Sequence, residues 1–64
     1  MRFRVPEMSC GHCTAAITKE IAALDPAAVV TTDLEKKTVT VVSDHTSTEV
    51  AMAIAAAGFE AGPA

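Results

Sequence analysis

The chain has 64 residues, two cysteines, no Trp or Tyr, and a formal net charge of −3 at neutral pH. A chain this short buries only about 60% of its unfolded surface, which leaves no core to enclose an organic cofactor or a deep catalytic cleft. Its acidity and its mere two aromatics, both Phe, argue against a nucleic-acid binder, which needs a basic stripe. The whole of 1–64 therefore reads as one small domain that is not an enzyme.

Arg2-Phe3-Arg4-Val5 alternates polar and apolar residues, the pattern of a half-buried strand, and Pro6 ends it. No apolar run approaches membrane-spanning length, and an opening with Arg2, Arg4, Pro6 and Glu7 does not read as a signal peptide. The expectation is a cytoplasmic chain without direct membrane insertion. A loop then leads to Cys10 and Cys13. From Cys13 onward Ala16, Ile17, Ile21 and Leu24 fall on one helix face, and Asp25-Pro26 stops that helix, because a residue before proline disfavours helical geometry.

Two β-branched runs follow. In the first, positions 28, 30, 32 and 34 share a face; in the second, Val39 and Val41 do. Glu35-Lys36-Lys37 reads as the hairpin turn between them. Thr46 and Glu49 have the spacing of a capping box, and Val50, Ala53, Ile54 and Ala57 form the apolar face of the helix it opens. Gly58 is placed to end that helix. Phe59 to Ala61 is expected to form a short final edge strand.

The predicted order is βαββαβ, an α+β ferredoxin-like fold with a four-stranded antiparallel sheet and two helices on one face. Alternating directions gather the first loop, the hairpin and the Gly58-Phe59 turn at one end. The turns at Pro26 and His45 fall at the other.

Cys10-Gly11-His12-Cys13 spans the entry from loop to helix, where the helix's positive end favours thiolates by about 0.3–1 kcal/mol. Residues this close make a poor structural staple, because the loop that a disulfide would close is too short. Paired thiolates select soft or borderline ions such as Cu(I), Zn(II) or Hg(II). Zinc usually takes four protein ligands in structural sites and three in catalytic ones. The remaining donors are His12, His45 and carboxylates, and His45 belongs to the far end. Cu(I) is satisfied by two sulfurs in a line, so the donor count favours Cu(I) on Cys10 and Cys13. Dithiol redox chemistry is the main competitor, since the same tetrapeptide serves disulfide isomerases. A thioredoxin-type domain, however, is longer, usually has an aromatic residue where Ser9 stands, and needs a cis-proline near the thiols.

Met8-Ser9-Cys10-Gly11-His12-Cys13 resembles the Met-x-Cys-x-x-Cys signature of the heavy-metal-associated domain. The likeness extends to the following helix, to Asp33-Leu34-Glu35-Lys36-Lys37-Thr38-Val39 and to Ala57-Gly58-Phe59-Glu60. It implies the ferredoxin-like fold and a copper chaperone that passes Cu(I) to a similar metal-binding domain of a copper-transporting P-type ATPase. A metal-linked homodimer is also compatible with it. Zinc- and cadmium-tuned members often carry an acidic residue just before the first cysteine, where this chain has Ser9. Mercury-binding relatives share the motif but are typically exported.

Four neighbours of the motif carry their own expectations. Met8 is read as a core anchor of the loop rather than a thioether ligand. His12 is read as solvated, able to tune the thiolates or to act in a dimer. Phe59 stands where relatives often have Lys, Tyr or His; it can pack the core or shield the metal from water. Lys36 and Lys37 share the metal end, where they can soften a bis-thiolate complex or meet an acidic partner.

Overall fold

Phe3 is the only inward-facing residue of β1 (Arg2–Arg4), and Arg2 and Arg4 point to solvent, as the period of a strand requires. The computed structural model describes residues 1–63. β2 (Val29–Asp33) and β3 (Thr38–Val42) form an antiparallel hairpin in which Val30 faces Val41 and Thr32 faces Val39. β1 lies on the other side of β3, with Phe3 opposite Val39. Backbone bonds continue this pairing past both ends of β1: Val5 N–H donates to Lys37 O at 2.8 Å, and Val41 N–H donates to Met1 O at 2.7 Å.

α1 (Gly11–Leu24) and α2 (Ser47–Ala56) cover the face of the sheet that carries Phe3, Val39 and Val41. Ile17 and Ile21 from α1 and Val50 and Ile54 from α2 are fully buried there, joined by Val5 and Met8. Each buried aliphatic side chain contributes about 1.5–3 kcal/mol of transfer free energy. The other sheet face is open: Val29 and Val42, paired across the ladder, are 60% and 65% exposed.

Local chemistry ends each helix as the residues dictate. Asp25 N–H bonds Ile21 O, and the Asp25 carboxylate accepts from Ala27 N–H at 3.0 Å, turning the chain through Pro26. Thr46 Oγ1 accepts from Glu49 N–H while Glu49 Oε1 accepts from Thr46 N–H, so the predicted capping box is present. At the far end of α2, Gly58 N–H bonds Ala55 O and Phe59 N–H bonds Ile54 O, with Gly58 at φ +94°. That pair of bonds is a Schellman motif, and it requires the left-handed conformation glycine adopts freely.

Two expectations change. The final strand is not Phe59 to Ala61: β4 is Gly62–Pro63, paired with β1 through Arg4 and Phe3. The Schellman motif commits the Phe59 amide to the helix end and its ring to the core, so pairing begins only afterwards. The sheet, in the order β2-β3-β1-β4, thus consists of three substantial strands and a two-residue edge. Leu34 does not continue the inner face of β2. Asp33 Oδ1 accepts from Lys36 N–H at 3.0 Å, which starts the turn and leaves Leu34 exposed. As expected for a loop-to-helix entry, α1 begins at Gly11 with Cys10 as N-cap.

Candidate metal centre

Cys10 and Cys13 meet at the junction of the β1–α1 loop and the first turn of α1. Cys10 is extended (φ −149°, ψ 168°), and its carbonyl accepts from Cys13 N–H at 3.1 Å and from Thr14 N–H at 3.3 Å. The side chain of this N-cap takes no capping hydrogen bond from the helix backbone. A thiol is a poor substitute for the oxygen caps that usually occupy the position, and the Cys10 sulfur instead turns toward Cys13, with Sγ···Sγ 3.3 Å. Both are free thiols; Cys10 is exposed and Cys13 is half-buried against the core.

The Cys13 thiol is held below the ordinary cysteine value, first by a hydrogen bond from the Ser9 backbone and second by the Cys10 thiol, while burial opposes both. The direction agrees with a thiol at a helix entry.

The loop is anchored from beneath. Met8 is fully buried in the core cluster, as expected of a residue that anchors the loop. Met8 N–H donates to Val5 O at 3.0 Å, closing a turn over Pro6 and Glu7. The hairpin lies beside it, since Lys37 Nζ donates to Met8 O at 3.4 Å. Lys37 is therefore engaged with the loop, whereas Lys36 is exposed. Sequence reasoning treated the two lysines alike, and only the fold separates them. Gly62 opposite Arg4 puts the segment from Gly58 at the end of β1 from which the loop departs. Phe59 is half-buried and packs against the core.

His12 is exposed on the first turn of α1, and His45 is engaged elsewhere, with Nδ1 3.0 Å from Glu49 Oε2. Among the described residues no three His, Cys, Asp or Glu side chains converge in a way that could hold a metal ion. The thiol pair stands alone.

The family profile described as "Heavy-metal-associated domain" matches residues 2–60. The chain belongs to the heavy-metal-associated domain family. Solved structures of similar proteins agree with this placement. The copper chaperone Atx1 from Synechocystis PCC6803 in its Cu2 form is 36% identical, with a TM-score of 0.93, over 95% of this chain and 97% of its own. A structure described as a gold binding protein is 34% identical, with a TM-score of 0.92, over 97% of this chain and 95% of its own. Atu1203 of Agrobacterium tumefaciens is 35% identical, with a TM-score of 0.87, over 94% of each chain. No curated protein sequence gives a significant match. Within this heavy-metal-associated domain, no helix among the described residues is long and apolar enough to cross a membrane.

Proposed function

We propose that the chain is a single-domain cytoplasmic copper chaperone, not an enzyme, which holds Cu(I) between the thiolates of Cys10 and Cys13. The observation that carries this reading is the isolated thiol pair at an exposed helix entry, with sulfurs 3.3 Å apart and no third converging donor among the described residues. Two metal–thiolate bonds of about 2.3 Å laid in a line span about 4.6 Å. The sulfurs would have to separate by about 1.3 Å, which rotation of the exposed Cys10 side chain can supply. A tetrahedral zinc ion would lack two protein ligands here. The copper chaperone and gold binding protein among the similar structures carry soft metals, in keeping with thiolate selection.

Delivery follows from the same shortage of ligands. A two-coordinate ion at the surface leaves room for a thiolate of the recipient, a metal-binding domain of a copper-transporting P-type ATPase. The recipient sulfur bonds before a donor sulfur leaves, so the ion passes through a shared three-coordinate state and is never free. The same exposure lets a second copy of the chain complete a metal-linked homodimer.

The test is anaerobic competition between Cu(I) and Zn(II) at equal total concentration. Cu(I) should occupy the protein at one ion per chain and displace zinc completely. Zinc that survives excess Cu(I) would overturn the copper assignment.

A further inference from the structure

The two edges of the sheet are built differently. β4 is two residues long, and its Pro63 has no backbone N–H to offer a further strand. β2 is five residues long and contains no proline, lysine or arginine; its one charge is Asp33, at its end. Shortness, prolines and charges are what keep a sheet edge from pairing with another chain. One edge of this sheet is blunted in that way and the other is not.

The pairing of β3 shows which groups β2 leaves free. Val41 N–H donates to Met1 O and Lys37 O accepts from Val5 N–H, so odd-numbered residues here address β1. Thr38, Thr40 and Val42 therefore address β2, where they pair with Asp33, Thr31 and Val29. Val30 and Thr32, lying between those partners, turn both N–H and C=O outward from the sheet. No backbone bond to a described residue takes up these groups.

We propose that β2 is a self-association edge, along which a second copy of the chain pairs antiparallel with the two-fold axis at Thr31. Val30 then exchanges two backbone bonds with Thr32 of the second copy, and Thr32 exchanges two with its Val30. Four bonds satisfy all the free groups of both edges. The neighbouring registers do less well. Centred on Val30, the pairing needs the Ala28 N–H, which already donates to Asp25 O at 3.0 Å. Centred on Thr32, it leaves the two Asp33 carboxylates only two positions apart along the seam. Centred on Thr31, each Asp33 faces Val29 of the other copy, and the carboxylates stand about 13 Å apart.

Side chains agree with this choice. Thr31 is exposed and meets its own copy on the axis, a favourable cross-strand match. The exposed pair Val29 and Val42 borders the same seam on the open face. A seam of five residues is small beside the about 1,200–2,000 Å² that stable interfaces bury, so the association is weak and belongs to high concentration. It uses neither sulfur and needs no metal, which separates it from a metal-linked homodimer. It stands whether or not the chain carries copper.

The experiment follows the metal-free, reduced protein by sedimentation equilibrium over a concentration series into the millimolar range. The mean mass should climb from that of one chain toward that of two. Over the same series, hydrogen exchange at the Val30 and Thr32 amides should slow, while the Thr31 amide, facing Thr40 in the hairpin, should change far less. Thr31→Lys and Thr31→Glu, at an exposed position, should each weaken association about three- to tenfold, because like charges then meet on the axis. Mixing the two variants should restore it, since opposite charges meet there instead. Unchanged exchange at the Val41 amide, on the far side of β3, would show that both variants keep the fold. A chain that stays monomeric throughout overturns the proposal. So does association that survives in both variants, that the mixture fails to restore, or that leaves Val30 and Thr32 exchange untouched.

Discussion

His45 Nδ1 lies 3.0 Å from Glu49 Oε2, one turn along at the start of α2, and the same carboxylate closes the capping box on Thr46. The cluster reaches across the far end of the fold. Ser43 Oγ accepts from His45 N–H at 3.1 Å and donates to Asp25 Oδ2 at 2.7 Å. The cap of α1, the loop after β3 and the cap of α2 are thereby joined at the opposite end from the thiols. The hydrogen bond to Glu49 holds His45 above its ordinary value, with Glu49, Asp25 and Asp44 adding charge attraction. His45 first, then Thr46, holds Glu49 below its own, and Ser43 first, then Ala27, does so for Asp25.

The signs give a pH profile for stability. A raised histidine stabilises the fold fully below its ordinary value of 6.5 and ceases to do so as pH rises through its folded value. A lowered carboxylate stabilises above its ordinary value, 4.5 for Glu49 and 3.8 for Asp25, and ceases to do so as pH falls through its folded value. The contribution of this cluster should peak between about pH 4.5 and 6.5. Denaturant unfolding of the metal-free protein across pH 3–9 should show that maximum, and His45→Gln should flatten its alkaline side. An unchanged alkaline side in that variant would remove His45 from the cluster's energetics.

Cys10→Ser and Cys13→Ser should each lose tight Cu(I) binding, because a hydroxyl is a hard, protonated donor where a soft thiolate is required. Cys10 is exposed, so its replacement should leave thermal unfolding within about 0.5 kcal/mol of the natural chain. Cys13 packs against the core, and its replacement should cost on the order of 1 kcal/mol. Either variant competing for Cu(I) as well as the natural protein would exclude the two-thiolate site.

Met8 separates anchoring from ligation. Met8→Leu keeps the buried volume and should cost less than about 1.5 kcal/mol, with Cu(I) affinity unchanged. Met8→Ala leaves a cavity and should cost about 2–5 kcal/mol, enough to unfold much of a domain of this size. A Leu variant that is folded but binds copper weakly would make the thioether a ligand.

Lys36, exposed on the hairpin beside the loop, tests the docking end. Lys36→Glu should slow Cu(I) transfer to an acidic recipient domain about two- to fivefold at low salt and less at high salt, where screening weakens steering. Affinity for Cu(I) should stay the same, and His45→Gln should alter neither quantity. Transfer followed by stopped flow for the two variants side by side decides this. Impairment by the His45 variant alone would move docking to the other end.

Much of the fold follows from periodicity and local chemistry. Ile17 and Ile21, Val50 and Ile54, and Val39 and Val41 all stand at positions whose spacing commits them to one face, and all are buried. Thr46 with Glu49, Asp25 before Pro26, and Gly58 act within a turn of themselves, so the sequence contains both partners of each interaction. The thiol pair is legible for the same reason, because Cys10 and Cys13 are three residues apart at a helix entry.

What the tertiary structure alone decided involves partners far apart in the chain. The separation of 29 positions between Met8 and Lys37 conceals the contact that divides Lys37 from its neighbour Lys36. The separation of 18 positions between Asp25 and Ser43 conceals the bond that ties the two helix caps together. The edge strand moved to Gly62–Pro63 because two demands met on Phe59, an amide engaged by the helix end and a ring taken by the core. Hydrogen-bond donors are spent once, and which of two competing acceptors claims a donor is settled only when the whole chain has packed.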